Sequence, residues 1–296
     1  MRTFALLAAG AALAAAQTPL ELKIRKQIAG FAGTVSLYAR NLGTGADFGL
    51  HADDKVRTAS TIKLPVMIEV FAQVAEGKAS FTDTILLREE DKVSGSGVLR
   101  EFSAGLRLPV RDLVNLMIVV SDNTATNLLL DRFPADLVNA RMEALGLKNT
   151  FCLRKIRGDG NALRNPSGWS QYGQVEANRK YGIGVSTPRE MVELLAMLHA
   201  GRIVSPEASR QMLDILGRQQ YKDGIGRRTG EKIKVASKSG ALDALRSDVG
   251  IVYAPRGAVA MAITVDGMPA VDYSADNAGN ILIAELTKTL LSALAP

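Results

Sequence analysis

Ser60-Thr61-Ile62-Lys63 sets a hydroxyl and a primary amine three residues apart, just ahead of the apolar run LPVMIEVF. Three residues is close to one helical turn, so both side chains share a face and the amine can reach the hydroxyl. In the first turn of a helix, the positive end of the backbone dipole also favours a developing alkoxide. A lysine accepts a proton only in its neutral form, which burial or a neighbouring cation populates. The chemistry open to this pair is nucleophilic catalysis, with Ser60 attacking and Lys63 as base. An S-x-x-K match alone arises roughly once by chance in a chain of this composition. Two further motifs follow in order, Ser121-Asp122-Asn123 and Lys238-Ser239-Gly240. All three together are expected roughly 0.004 times, so the set carries weight that no part has.

The elements that must position these residues can be read from periodicity. TPLELKIRKQIAGF reads as a short amphipathic helix, and GTVSLYAR with ADFGLHAD as two strands about a turn at Asn41–Gly45. From Thr58 to about Gly217 helical patterns dominate, among them IKLPVMIEVFAQVAEG, VRDLVNLMIVVSDN and TPREMVELLAMLHAG. Strand patterns return in KIKVASKSG, DVGIVYAP and AVAMAITVDG, and a long helix runs from Ala275 to Ala295. The expected fold is α/β (α+β): a five-stranded antiparallel sheet from residues 17–57 and 218–296, flanked by terminal helices. An all-helical domain, residues 58–217, lies beside it, and a site is sought in the cleft between them.

The 296 residues are 47% hydrophobic, ample for one or two packed domains. MRTFALLAAGAALAAAQ has the form of a secretory signal, residues 1–16, cleaved near Ala16-Gln17, which implies a periplasmic or secreted protein. The leader is too short to be read as a membrane span, and no integral membrane contact is expected. The formal charge of +6, which falls to +5 when Arg2 leaves with the leader, is scattered rather than striped, so nucleic-acid binding has little support. The single cysteine, Cys152, excludes an intrachain disulfide. His51 and His199 stand far apart in no metal-ligand spacing, which argues against a zinc enzyme and weakens any Ser-His-Asp triad. No metal or cofactor is expected, and the chain is taken as a monomer.

With S-x-x-K, S-D-N and K-S-G in this order, the sequence resembles the class A β-lactamases and the related penicillin-binding D,D-peptidases. The 61-residue step from Ser60 to Ser121, the segments VSDNTATNLLL and STPREM, and the strand–helix–strand layout extend the likeness over nearly the whole chain. The resemblance implies a β-lactamase/transpeptidase-like fold and acylation of Ser60 by a small-molecule β-lactam or a peptidoglycan peptide. It implies that Ser121 relays a proton to the leaving nitrogen, and that Asn123 holds the acyl side-chain amide and contacts Lys63. Ser121 could alternatively cap the helix TATNLLL. Lys238, Ser239 and Gly240 would bind a substrate carboxylate on an edge strand, and the N–H groups of Ser60 and Ala241 would form an oxyanion hole. Arg246 is either a further cation for that carboxylate or an ordinary surface partner of Asp248.

The chain departs from the family where the acyl-enzyme must be hydrolysed. Class A enzymes use a glutamate in an E-x-x-x-N setting within an Ω-shaped loop. The matching stretch, about 149–189, holds only Asp159 and Glu176 against seven Lys or Arg, and neither acid is followed four residues on by Asn. The loop is enlarged, with 117 residues between Ser121 and Lys238. The expected function is a class A-like serine β-lactamase with Glu176 or Asp159 activating water; the first alternative is a D,D-peptidase-like hydrolase that β-lactams acylate, and a non-catalytic β-lactam-binding sensor domain comes after it.

Overall fold

The computed structural model describes residues 18–157 and 168–296; the expected leader, residues 1–16, and Asp159 lie outside the described residues. Helix α1 (Pro19–Ile28) opens on Thr18, whose hydroxyl accepts the Glu21 N–H, with Pro19 at the first helical position. The hairpin β1 (Thr34–Asn41) and β2 (Asp47–Leu50) follows, and then the two-residue strand β3 (Val56–Arg57). A 3-10 turn over Ala59–Ile62 runs directly into α2 (Lys63–Ala75).

The helical half continues with the strand pair β4 (Thr84–Leu86) and β5 (Arg107–Pro109), then α3 (Val110–Val119), α4 (Asn123–Arg132) and α5 (Ala135–Ala144). Strand β6 (Phe151–Cys152), α6 (Gln171–Gln174) and β7 (Gly184–Ser186) lead to α7 (Pro188–His199) and α8 (Pro206–Gly217). Helices α7 and α8 repeat the opening device of α1: Thr187-Pro188 and Ser205-Pro206 each set a hydroxyl cap before a proline. The short strands here are two or three residues long, too brief for alternation to announce them. They pair as β3–β7–β6 and β4–β5 and staple the ends of the helices.

Strands β8 (Val235–Leu242), β9 (Leu245–Ala254) and β10 (Gly257–Asp266) precede the last helix, α9 (Ala278–Leu294). They join the first hairpin in a five-stranded sheet of order β2-β1-β10-β9-β8, antiparallel throughout. Both faces of the sheet are covered, so its central strands are apolar nearly throughout rather than alternating. One core lies between the sheet and α1 and α9, and includes Ile24, Leu37, Val252, Ile263 and Leu286. The other lies between the sheet and the helical half, around α2: Leu64, Met67, Ile68, Met117, Leu129, Leu195, Val249 and Ile251. Helix α2 is thereby a central pillar, buried from Lys63 to Gln73, and its N-terminal end is fixed against edge strand β8.

Candidate active site

Ser60 sits in the 3-10 turn and Lys63 is the first α-helical residue, so the Ser60 hydroxyl stands at the N-terminal end of α2, where the backbone dipole is positive. Ala59, just before it, is held at φ 45°, a conformation an L-residue adopts only when its surroundings enforce it. Ser121 is in the same state at φ 54°. Among the described residues, two of the four non-glycine residues with positive φ thus flank or form the site.

Lys63 is fully buried. Its Nζ donates to the Ser121 carbonyl (2.6 Å), to Ser121 Oγ (3.1 Å) and to Asn123 Oδ1 (2.9 Å). Lys238, also fully buried, donates from Nζ to Ser121 Oγ (3.0 Å) and to the Ser239 carbonyl (2.6 Å). Burial, and then the Lys238 charge, hold the Lys63 amine well below the usual lysine range, with Asp122 pulling the other way. Burial brings Lys238 down to about 7, opposed by Asp248. Among the described residues no hydrogen bond joins Lys63 to Ser60 Oγ: three acceptors take the three protons of the ammonium. Loss of one proton leaves Nζ a lone pair for the Ser60 hydroxyl one turn away. Ser121 Oγ, accepting from two lysines, has both lone pairs occupied, which turns its own proton toward other acceptors.

The cap of α4 is Asp122, not Ser121. Its Oδ1 accepts the Ala125 N–H (2.8 Å), while Oδ2 accepts the Val98 and Leu99 N–H groups (2.6 and 2.8 Å). That frees the Ser121 hydroxyl and ties the loop Ser94–Leu99 to the motif. Gly97, at φ 108°, passes so close that a side chain there would collide with the Asp122 carboxylate. Asn123 completes the tie, its Nδ2 donating to the Ser94 carbonyl (3.0 Å).

These groups border a cleft of about 570 Å³ lined in part by Ser60, Ser94, Ser96, Ser121, Asn123, Ser239, Gly240 and Ala241. Edge strand β8 leaves the N–H groups on its outer side without a strand partner. Gly240 lets the strand approach Ser60: a Cβ there would lie 2.9 Å from Ser60 N and 2.8 Å from Thr58 O. Arg246, opposite Ala241 in register, also lines the cleft. It is buried, with its guanidinium against the carbonyls of Leu242 and Leu245 (both 2.6 Å) and over the Tyr273 ring (4.9 Å). The reading of Arg246 as a surface partner of Asp248 is therefore corrected: the side chain is neither at the surface nor ion-paired to Asp248.

Glu176 requires a correction too. Its side chain is 82% exposed and ion-paired with Arg179 one turn on, at 2.7 Å, in the 3-10 segment Glu176–Tyr181. It is not among the cleft residues. Paired with Arg179 of its own segment, its carboxylate is satisfied locally and faces water. Among the described residues, the acids that do line the cleft are Asp223 and Asp248, the latter opposite Ser239 of β8. Sequence reasoning passed over Asp248 as a site residue; its one signal was a charge directly before the apolar run VGIVY.

The chain belongs to the β-lactamase enzyme family, whose signature matches residues 19–294. It is similar to the crystal structure of a β-lactamase from Sphaerobacter thermophilus, with 34% identity, a TM-score of 0.79, and 93% of this chain and 96% of that one covered. It is also similar to a mutant of PBP-A solved as the acyl-enzyme complex with penicillin G, with 26% identity, a TM-score of 0.77, and coverage of 93% and 95%. Among curated relatives is the β-lactamase regulatory protein BlaB of Streptomyces cacaoi, 24% identical over 76% of this chain and 82% of that protein.

Proposed function

We propose that the protein is a class A-like serine β-lactamase that opens the β-lactam amide through an acyl-enzyme on Ser60. The observation that carries this reading is the buried Lys63–Ser121–Lys238 network beside Ser60 at the floor of the cleft. In the proposed reaction, neutral Lys63 takes the Ser60 proton as Oγ bonds to the lactam carbonyl carbon. The oxyanion is received by the N–H groups of Ser60 and Ala241. The C–N bond breaks as the Ser121 proton passes to the departing nitrogen, and the Lys63 proton replaces it. Lys238, Ser239 and Arg246 hold the substrate carboxylate, and Asn123 the acyl side-chain amide. Water then releases the acid and regenerates Ser60.

A second reading, a D,D-peptidase-like hydrolase that β-lactams acylate and inhibit, is favoured by one observation: Glu176 lies outside the cleft. Incubation with a chromogenic cephalosporin, followed by intact-mass measurement, separates the two. Sustained turnover is expected for a β-lactamase. A stoichiometric burst with a lasting adduct marks the peptidase, or the sensor domain if no peptide is cleaved. A Ser60→Ala protein that still gains the adduct would sink both enzymatic readings. Glu176→Gln is expected to hydrolyse at an unchanged rate; a loss beyond tenfold would return that carboxylate to the mechanism.

A further inference from the structure

Register puts three side chains on one face of the β8–β9 ribbon: Ser239, Asp248 directly opposite it, and Arg246 opposite Ala241. All three line the cleft. Asp248 is 1% exposed, and its two oxygens differ. Oδ2 accepts the Ile225 N–H at 2.9 Å, whereas Oδ1 is buried and, among the described residues, has no hydrogen-bond partner. A buried, unpartnered carboxylate oxygen is costly, and beside a site that must receive an anion it would also repel the ligand. A carboxylic acid at the same place carries no buried charge and does not repel an anion. Its hydroxyl needs an acceptor, and an arriving carboxylate supplies one.

We propose that Asp248 is a further substrate-binding residue that is protonated in the complex and donates its Oδ1–H to the substrate carboxylate held by Ser239 and Arg246. Binding of an anionic substrate then takes up a proton from solvent. The surroundings favour the neutral acid. Burial pushes Asp248 up to about 7, and Asp223 in the preceding turn adds to the rise. The Ile225 N–H, then the Lys238 charge and the Val249 N–H, oppose it, and burial outweighs them. The arginines of the adjoining 3-10 turn are engaged elsewhere, Arg227 with Asp276 and Arg228 with Glu285 of α9. Arg246 on the same strand donates to backbone carbonyls and not to Asp248, Tyr273 lies over it, and α9 presents uncharged Asn280 and Ile283 toward this corner. The residue opposite Asp248 on β10 is Ile263, which is apolar.

The inference rests on the proposed Ser60 site, and the test keeps the two apart. Benzylpenicillin is titrated calorimetrically into the Ser60→Ala protein and into Ser60→Ala/Asp248→Asn. Two buffers of different ionisation heat are used, so that the heat difference counts protons. Asparagine copies the neutral acid, accepting from Ile225 while donating where Oδ1–H would lie. The single variant is expected to take up a proton on binding above neutrality. Its apparent dissociation constant should weaken about tenfold or more between about pH 6.5 and 8.5. In the double variant the uptake should fall by at least half and the weakening by a similar factor. If Lys238 were the source of the proton, removing the Asp248 carboxylate would lower its proton affinity further and uptake would persist or grow. Uptake retained above half in the double variant overturns the proposal, as does binding without uptake in the single one. Failure of the wild-type protein to form any adduct on Ser60 would instead overturn the site reading on which it rests.

Discussion

Asp122 joins stability to reactivity, and two substitutions separate its duties. In Asp122→Ala the cap of α4 is lost, at about 1 kcal/mol. The buried Leu99 N–H loses its acceptor, at about 1–3 kcal/mol, while the Val98 N–H lies in a more open stretch and recovers water. The sum, about 3 kcal/mol, corresponds to a drop of about 6–12 °C in melting temperature for a domain of this size. Asp122→Asn keeps one acceptor oxygen and should cost less. It also deletes the negative charge that favours a proton on Lys63. The neutral amine is then populated at lower pH, so the acid limb of the acylation rate should move to lower pH. Thermal melting and urea titration measure the first effect; adduct formation by intact mass across a pH series measures the second. An alanine variant as stable as the parent, or an asparagine variant whose acid limb moves upward, would refute the reasoning.

Gly240→Ala sets a methyl group 2.9 Å from Ser60 N, and the obstruction is backbone that cannot swing aside. Acylation should slow by about a hundredfold or more, as for loss of an oxyanion donor, and the clash should cost about 1–3 kcal/mol of stability; a rate within threefold of the parent would show that β8 can move. Glu69 is 2% exposed and pairs with Arg141 at 2.9 Å and with Gln73 at 2.6 Å. Arg141→Ala should cost about 2–3 kcal/mol by urea unfolding, discounted for the partial exposure of the arginine, and adding Glu69→Gln should restore most of it. For stability against pH the two buried groups oppose each other. Lys238, lowered from 10.5 to about 7, contributes stability that is full above 10.5 and lost as pH falls through about 7. Asp248, raised from 3.8 to about 7, contributes stability that is full below 3.8 and lost as pH rises through about 7. A shallow minimum in the urea midpoint near neutrality is expected, and Asp248→Asn should flatten its acid side.

By itself the sequence carried what local chemistry can encode. Three spaced motifs named Ser60, Lys63, Ser121, Asn123 and Lys238, and Ser-Pro or Thr-Pro pairs marked the starts of α1, α7 and α8. Apolar periodicity separated sheet segments from helices because pattern and period are properties of neighbouring residues. What a side chain meets from a distant part of the chain was decided only in three dimensions. Ser121 and Lys238, 117 residues apart, meet at 3.0 Å because α4 and β8 pack about the buried start of α2. Glu176 and Asp248 show the contrast most plainly: both are acids flanked in sequence by a basic residue within three positions. One is bound to Arg179 in water, while the other lies buried on the face of Ser239 with an oxygen unpaired. Burial and pairing are sums over the whole fold, and those sums set whether a carboxyl is charged and what it can hold.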